Sequence, residues 1–204
     1  MVLKRYSFLL LVIMVFTFSS CSLSPFSPTS SGRSYGKGHF YAAAGNVNSS
    51  YHMKFGMGVT EDFDAGFVME FGEIATSAIY LKYSFINNEV GPSVNGEFGY
   101  GSTETTKHFY IGSAASLAFS KEFEIFFNGR INSVSTDETD IEKDEYQGNI
   151  KILEYQITYL QLSYGFNIWF SESSGLSLYS VHFQGEDIET SKDSIFGGSF
   201  LFNF

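Results

Sequence analysis

The chain has 204 residues, a formal net charge of −10, 18% aromatic and only 17% charged side chains. Its mean hydropathy of −0.01 excludes a multi-span helical membrane protein. The acidic balance argues against a nucleic-acid partner, and a single Cys excludes a disulfide framework or a Cys-based zinc site. The elements can be taken in chain order from there.

Lys4 and Arg5 precede an apolar run from Phe8 to Phe18, followed by Ser19, Ser20 and Cys21. A basic start, a short apolar stretch and a small-residue exit make residues 1–20 a secretory signal. The run is too short for a comfortable helical membrane span. Phe18-Ser19-Ser20-Cys21 resembles the lipobox of bacterial lipoproteins, with Phe18 where an aliphatic residue is usual. That resemblance implies acylation of Cys21, and Ser22 after it fits export to the outer membrane. Signal removal would take Lys4 and Arg5 and bring the formal charge to −12. Residues 22–36 carry two of the three prolines and many serines. This composition reads as a flexible tether, lipidated at 21, without a core of its own.

From Lys37 onward the pattern alternates with period two, which marks an all-β chain. Ten strands are expected near 37–45, 51–60, 64–72, 77–86, 90–101, 107–119, 123–134, 150–170, 175–185 and 194–204. One face carries Met53, Phe55 and Met57, then Phe67 and Phe71, Ile79, Leu81 and Tyr83, Ile125 and Phe127, Tyr164 and Phe166, and Phe200 and Phe202. The opposite face is mostly Gly, Ser, Ala and Asn with isolated charges. A water-facing sheet is normally rich in Lys, Glu and Thr, whereas small residues suit the crowded interior of a narrow barrel. A soluble barrel is the alternative, but the polar face favours a transmembrane one. The expectation is a single antiparallel up-and-down barrel of ten strands over residues 37–204, with an eight-stranded register as the other possibility.

Connector length gives a second line. If the first strand starts in the periplasm, the connections near 61–63, 87–88, 120–122 and 171–174 fall on the periplasmic side, and all are short. The longest connections, about 135–149 and 186–193, fall on the other side, as in outer-membrane barrels. Residues 37–204 thus resemble the small OmpA-like and OmpX-like outer-membrane barrels of Gram-negative bacteria. The last strand, closing on Phe200, Phe202 and Phe204, is the most specific element of the likeness. The resemblance implies that these aromatics are read by the barrel-assembly machinery, that membrane lipid and lipopolysaccharide surround the wall, and that the chain is a monomer with a periplasmic amino terminus.

Charges on the lumen face need partners. A three-residue turn at 61–63 sets Lys54 opposite Glu70 and brings Lys82 diagonal to Glu70. Arg130 is expected beside Gly112, reaching toward Glu97, and Glu124 is left as a lone acid near the periplasmic end. Ion pairs among Lys54, Glu70, Lys82, Glu97 and Arg130 would plug the lumen; the alternative is a charged constriction passing small solutes or ions. The eighth strand changes apolar parity near Tyr159–Leu160, which suggests a bulge.

Catalysis is the weakest reading, and no cofactor or metal is implied. His52, His108 and His182 are placed on lumen faces of strands spread around the wall, too far apart to share a zinc ion. Ser180 and His182 superficially suggest a rim-located lipid-modifying enzyme, but no acid accompanies them. The loop bearing Asp137, Glu138, Asp140, Glu142, Asp144 and Glu145 is acidic without the calcium-loop pattern and reads as a solvated extracellular loop. The function expected is therefore a structural or surface-interaction role.

Overall fold

The computed structural model describes residues 25, 27–28, 30–47, 50–72, 75–103, 106–136, 139–141, 150–152, 155–185 and 194–204, of which 139–141 and 150–152 by their backbone. Cys21 lies outside the described residues, as do Asp137, Glu138, Glu142, Asp144 and Glu145.

Ten strands close into one antiparallel barrel. They are β1 (Phe40–Val47), β2 (Ser50–Gly58), β3 (Phe63–Phe71), β4 (Thr76–Ile86), β5 (Gly91–Ser102), β6 (Thr106–Ala118), β7 (Phe123–Thr136), β10 (Tyr155–Ser171), β11 (Ser174–Gln184) and β12 (Ile195–Asn203). Two short strands, β8 (Thr139–Ile141) and β9 (Ile150–Ile152), pair with each other in the long connection between β7 and β10; Asp140 belongs to β8. Each wall strand pairs with its chain neighbours, and β1 pairs with β12 to close the ring, from Tyr41 opposite Asn203 to Val47 opposite Gly197. Phe40 and Phe204 exchange backbone hydrogen bonds at the end of that seam. Closure leaves no free edge, and the eight-stranded register is excluded.

The two faces divide as the alternation requires. Leu81, Phe98, Phe109, Phe127 and Phe200 are among the many large apolar side chains exposed on the outside, Phe200 at 60%. Inside lie buried polar groups: Asp64, Glu70, Lys82, Asn95, Arg130 and Asn167 are each at or below 2% exposure. A soluble domain buries its apolar residues; this one buries the polar ones.

Three expectations about register are corrected. The β2–β3 turn has the expected length but is centred on Glu61, because Val59 and Thr60 donate to the Phe63 carbonyl and the Thr60 hydroxyl accepts from the Phe63 amide at 3.1 Å. Lys54 therefore faces Val68, and Glu70 faces His52. In the next pair Ile79 faces Phe67, so Lys82 stands opposite Asp64 rather than near Glu70. Both slips are by an even number of residues, so every side chain keeps its face while changing its partner. No bulge occurs near Tyr159: the β7–β10 register runs unbroken from Tyr155 opposite Thr136 to Ile168 opposite Phe123. Tyr159 simply turns inward, at 5% exposure.

Candidate functional site

The lumen is occupied by the chain's own amino-terminal segment. The serine-rich stretch that reads as a flexible tether is, over its described residues from 25 to 36, docked inside the barrel. Composition is informative only about what a segment can bury by itself; here the wall supplies the partners.

At the short-turn end, Lys37 bridges to Gly58, and the chain reverses through Gly36 (φ 83°) and Gly38 (φ 80°) before entering β1. These left-handed conformations favour glycine. Going backward along the chain from this reversal, Tyr35 stacks on Tyr41 with ring centroids 4.6 Å apart and planes 7° from parallel. Its hydroxyl lies 3.1 Å from that of Tyr80. Asp64 accepts from the Tyr35 amide at 3.1 Å and the Ser34 hydroxyl at 2.6 Å. Lys82 pairs with Asp64 at 2.9 Å and donates to the Arg33 carbonyl at 2.6 Å. Gly32 passes so close to the Ser93 backbone that a side chain there would collide with it.

The wall holds the segment mainly by its backbone. The carbonyls of Ser30, Ser31, Gly32 and Arg33 accept from Asn167, Asn95, Ser84 and Lys82 at 2.6, 2.9, 3.1 and 2.6 Å. The amides of Gly32 and Ser27 donate to Ser116 at 3.0 Å and Glu70 at 2.6 Å. Higher up, Arg130 donates to the Pro25 carbonyl. Lumen side chains here do what a neighbouring strand does in a sheet, satisfying obligatory backbone groups away from water.

Charge is matched across wall and segment. The buried wall groups include four acids, Asp64, Glu70, Glu97 and Glu124, and three cations, Lys54, Lys82 and Arg130. The segment contributes Arg33, which pairs with Glu124 at 3.1 Å. Glu124 also accepts from the Ser31 hydroxyl at 2.8 Å and from Asn167 at 3.0 Å. The acid expected to stand alone has its cation in the plug.

The expected Lys54–Glu70–Lys82 cluster does not form. Lys54 reaches Glu97 at 3.8 Å and lies 4.3 Å above the Tyr80 ring. Arg130 does sit beside Gly112, in line with Glu97 across β6. Its guanidinium donates to Gln161 at 2.9 and 3.0 Å and lies 4.7 Å above the Tyr110 ring. Asp64, Asn95, Asn167 and Tyr35 are the residues that sequence reasoning missed. The available signal was the excess of inward acids beside a Ser/Gly/Arg segment short enough to fit.

His52 and His108 face the lumen, both buried. Ser180 and His182 do not: they pair across β10–β11 with Tyr164 and Leu162, on the outer face. Parity there is set by Tyr179 and Val181, which turn inward into an apolar cluster with Val47 and Phe126. Ser180 Oγ is 3.4 Å from His182 Nε2, and the ring stacks on Tyr164 at 5.4 Å. No group of three or more metal-ligating side chains converges among the described residues. At the short-turn end a cavity of about 720 Å³ remains open, bordered by Arg33, Glu89, Lys121, Glu122, Glu124 and Trp169.

A closed barrel with an apolar, aromatic coat and a polar, filled lumen has the architecture of a membrane-spanning β-barrel. Similar solved structures include the KdgM porin in complex with disordered oligogalacturonate, at 6% identity and a TM-score of 0.46, covering 81% of this chain and 99% of that one. The N-terminal β-barrel domain of Pseudomonas aeruginosa OprF is 13% identical with a TM-score of 0.35, covering 81% and 96%. Ail, the attachment invasion locus protein of Yersinia pestis, is 9% identical with a TM-score of 0.29, covering 82% and 99%. At these identities the likeness is one of fold alone. No family model and no curated protein matches the chain.

Proposed function

We propose that this chain is an outer-membrane β-barrel with a structural or surface-interaction role, its lumen kept closed by residues 25–36 and by ion pairs of the wall. The observation that carries this reading is the seated segment. A pore needs a continuous water path, and here Asp64, Lys82, Asn95, Glu124 and Asn167, which would line one, are bonded to the segment. The exterior supports the location: aromatic residues such as Phe98, Tyr100 and Phe200 are exposed on a wall where the facing side chains carry no formal charge across the centre of the strands. Lipid and lipopolysaccharide are the partners such a surface fits, Phe200, Phe202 and Phe204 form the assembly signal, and Cys21 is the acylation site. An enzyme at the rim fits less well, because Ser180 and His182 share the outer face with Tyr164.

Planar-bilayer recording tests the closed lumen against the narrow-channel alternative. The purified protein is expected to give no discrete openings. Steady openings whose size changes in Lys82→Ala would overturn the proposal.

A further inference from the structure

The direction of the plug has a consequence for where the chain begins its path through the membrane. β1 starts at the short-turn end, at Phe40, so a segment lying outside the barrel would leave its amino terminus on that side. The described residues run the other way. Lys37 is at the rim, bridged to Gly58 in the last position of β2. Tyr35 and Ser34 bind Asp64, the second residue of β3. Ser31 binds Asn95, the fifth residue of β5, and Ser30 binds Asn167, which stands opposite Glu124, the second residue of β7, so both are still in the short-turn half of the wall. Ser27 binds Glu70, the penultimate residue of β3, beside the connection to β4 on the long-loop side. Residues 30–37 thus lie toward the short-turn end, and between Ser30 and Ser27 the chain rises to the long-loop side, where Glu70 of β3 and Arg130 of β7 hold Ser27 and Pro25.

We infer that the amino-terminal segment threads the lumen from the long-loop end, so that the mature residues ahead of Pro25 are displayed on the long-loop face of the membrane. This rests on the membrane-barrel reading above, and on the short turns facing the periplasm for the statement that the displayed face is the cell surface.

Reach weighs against the opposite placement. Cys21 is four residues from Pro25, roughly 14 Å of fully extended chain. Arg130, which binds the Pro25 carbonyl, lies seven residues along β7 from Phe123 at the short-turn end. At ~3.3 Å per residue and a strand tilt near ~40°, that is roughly 18 Å of depth. The barrel is moreover closed laterally, so an acyl chain has no side exit. An acylated Cys21 would therefore insert its lipid in the leaflet on the long-loop side. The barrel then acts as a conduit that carries its own amino terminus across the membrane.

The test uses full-length protein in intact cells and a membrane-impermeant maleimide. Ser24→Cys reports the segment, Gly148→Cys reports the long loop and Ser173→Cys reports the short turn. Heat-modifiable gel mobility confirms that each variant is folded. Threading predicts that position 24 labels together with position 148, to a similar extent, and not with position 173. Labelling of position 24 only under the conditions that label position 173, or at neither stage, overturns it. If position 173 rather than 148 labels in intact cells, the orientation is reversed, and the inference about threading is still judged by which control position 24 follows. A carbonate-extractable protein without a mobility shift would instead defeat the membrane barrel itself.

Discussion

The outer wall and the lumen of this barrel are built by different rules. Outside, each position needs only to be apolar: Phe67, Ile79 and Tyr100 lie side by side on neighbouring strands and meet a solvent of lipid that asks for no particular partner. Inside, the charged groups depend on named counterparts. Lys82 satisfies Asp64 and the Arg33 carbonyl at once, and Asp64 in turn holds Ser34 and Tyr35. A two-residue slip of register leaves the outer wall chemically unchanged and rewrites the lumen. Period-two patterning therefore specifies the coat, while partner identity specifies the plug.

That contrast can be broken experimentally. The largest effect is expected from Lys82→Met, which strands the buried Asp64 without its cation and should cost about 3–5 kcal/mol in urea unfolding from lipid vesicles. Adding Asp64→Leu should recover part of the loss, since an apolar pair is less costly than a lone buried charge. Next is Leu81→Arg at the centre of β4 on the outside, which should cost about 2–4 kcal/mol by placing a charge in lipid. Gly32→Val should cost about 1–3 kcal/mol through overpacking against Ser93, and should loosen the segment without unfolding the wall. Leu81→Ile should cost less than ~1.5 kcal/mol. If this last swap proved as damaging as Lys82→Met, the distinction between a permissive coat and a specific interior would fail.

The strands and their faces were legible in the sequence for this reason. Met53, Phe55 and Met57 against His52, Lys54 and Gly56 leave one assignment of sides, and the short and long connectors tell the two ends of the barrel apart. Pairing across β2–β3 was not legible, because Thr60 captures the turn through its hydroxyl and moves its centre by one residue. That shift placed Lys54 with Glu97 instead of Glu70. Arg130 beside Gly112 was legible, since both lie on long strands joined by a tight turn at 119–122. The parity of Ser180 and His182 was misread because small and polar residues stand on both faces of β11. The docked segment was the largest miss. Ser30, Ser31 and Gly32 carry no apolar periodicity, and the wall recognises their backbone, which leaves no trace in residue type. Only Glu124, an inward acid without a cation on its neighbours, marked the place where Arg33 inserts.

Amide hydrogen exchange of the folded protein in lipid or detergent tests the central claim most directly, because it reads the segment without altering it. The amides of Ser27, Gly32 and Tyr35 donate to Glu70, Ser116 and Asp64 inside a closed wall. The account predicts that a peptide covering residues 25–36 exchanges slowly, with protection comparable to the β4 and β5 strands that enclose it. Exchange of that peptide as fast as an unstructured chain, while β4 and β5 stay protected, would contradict it.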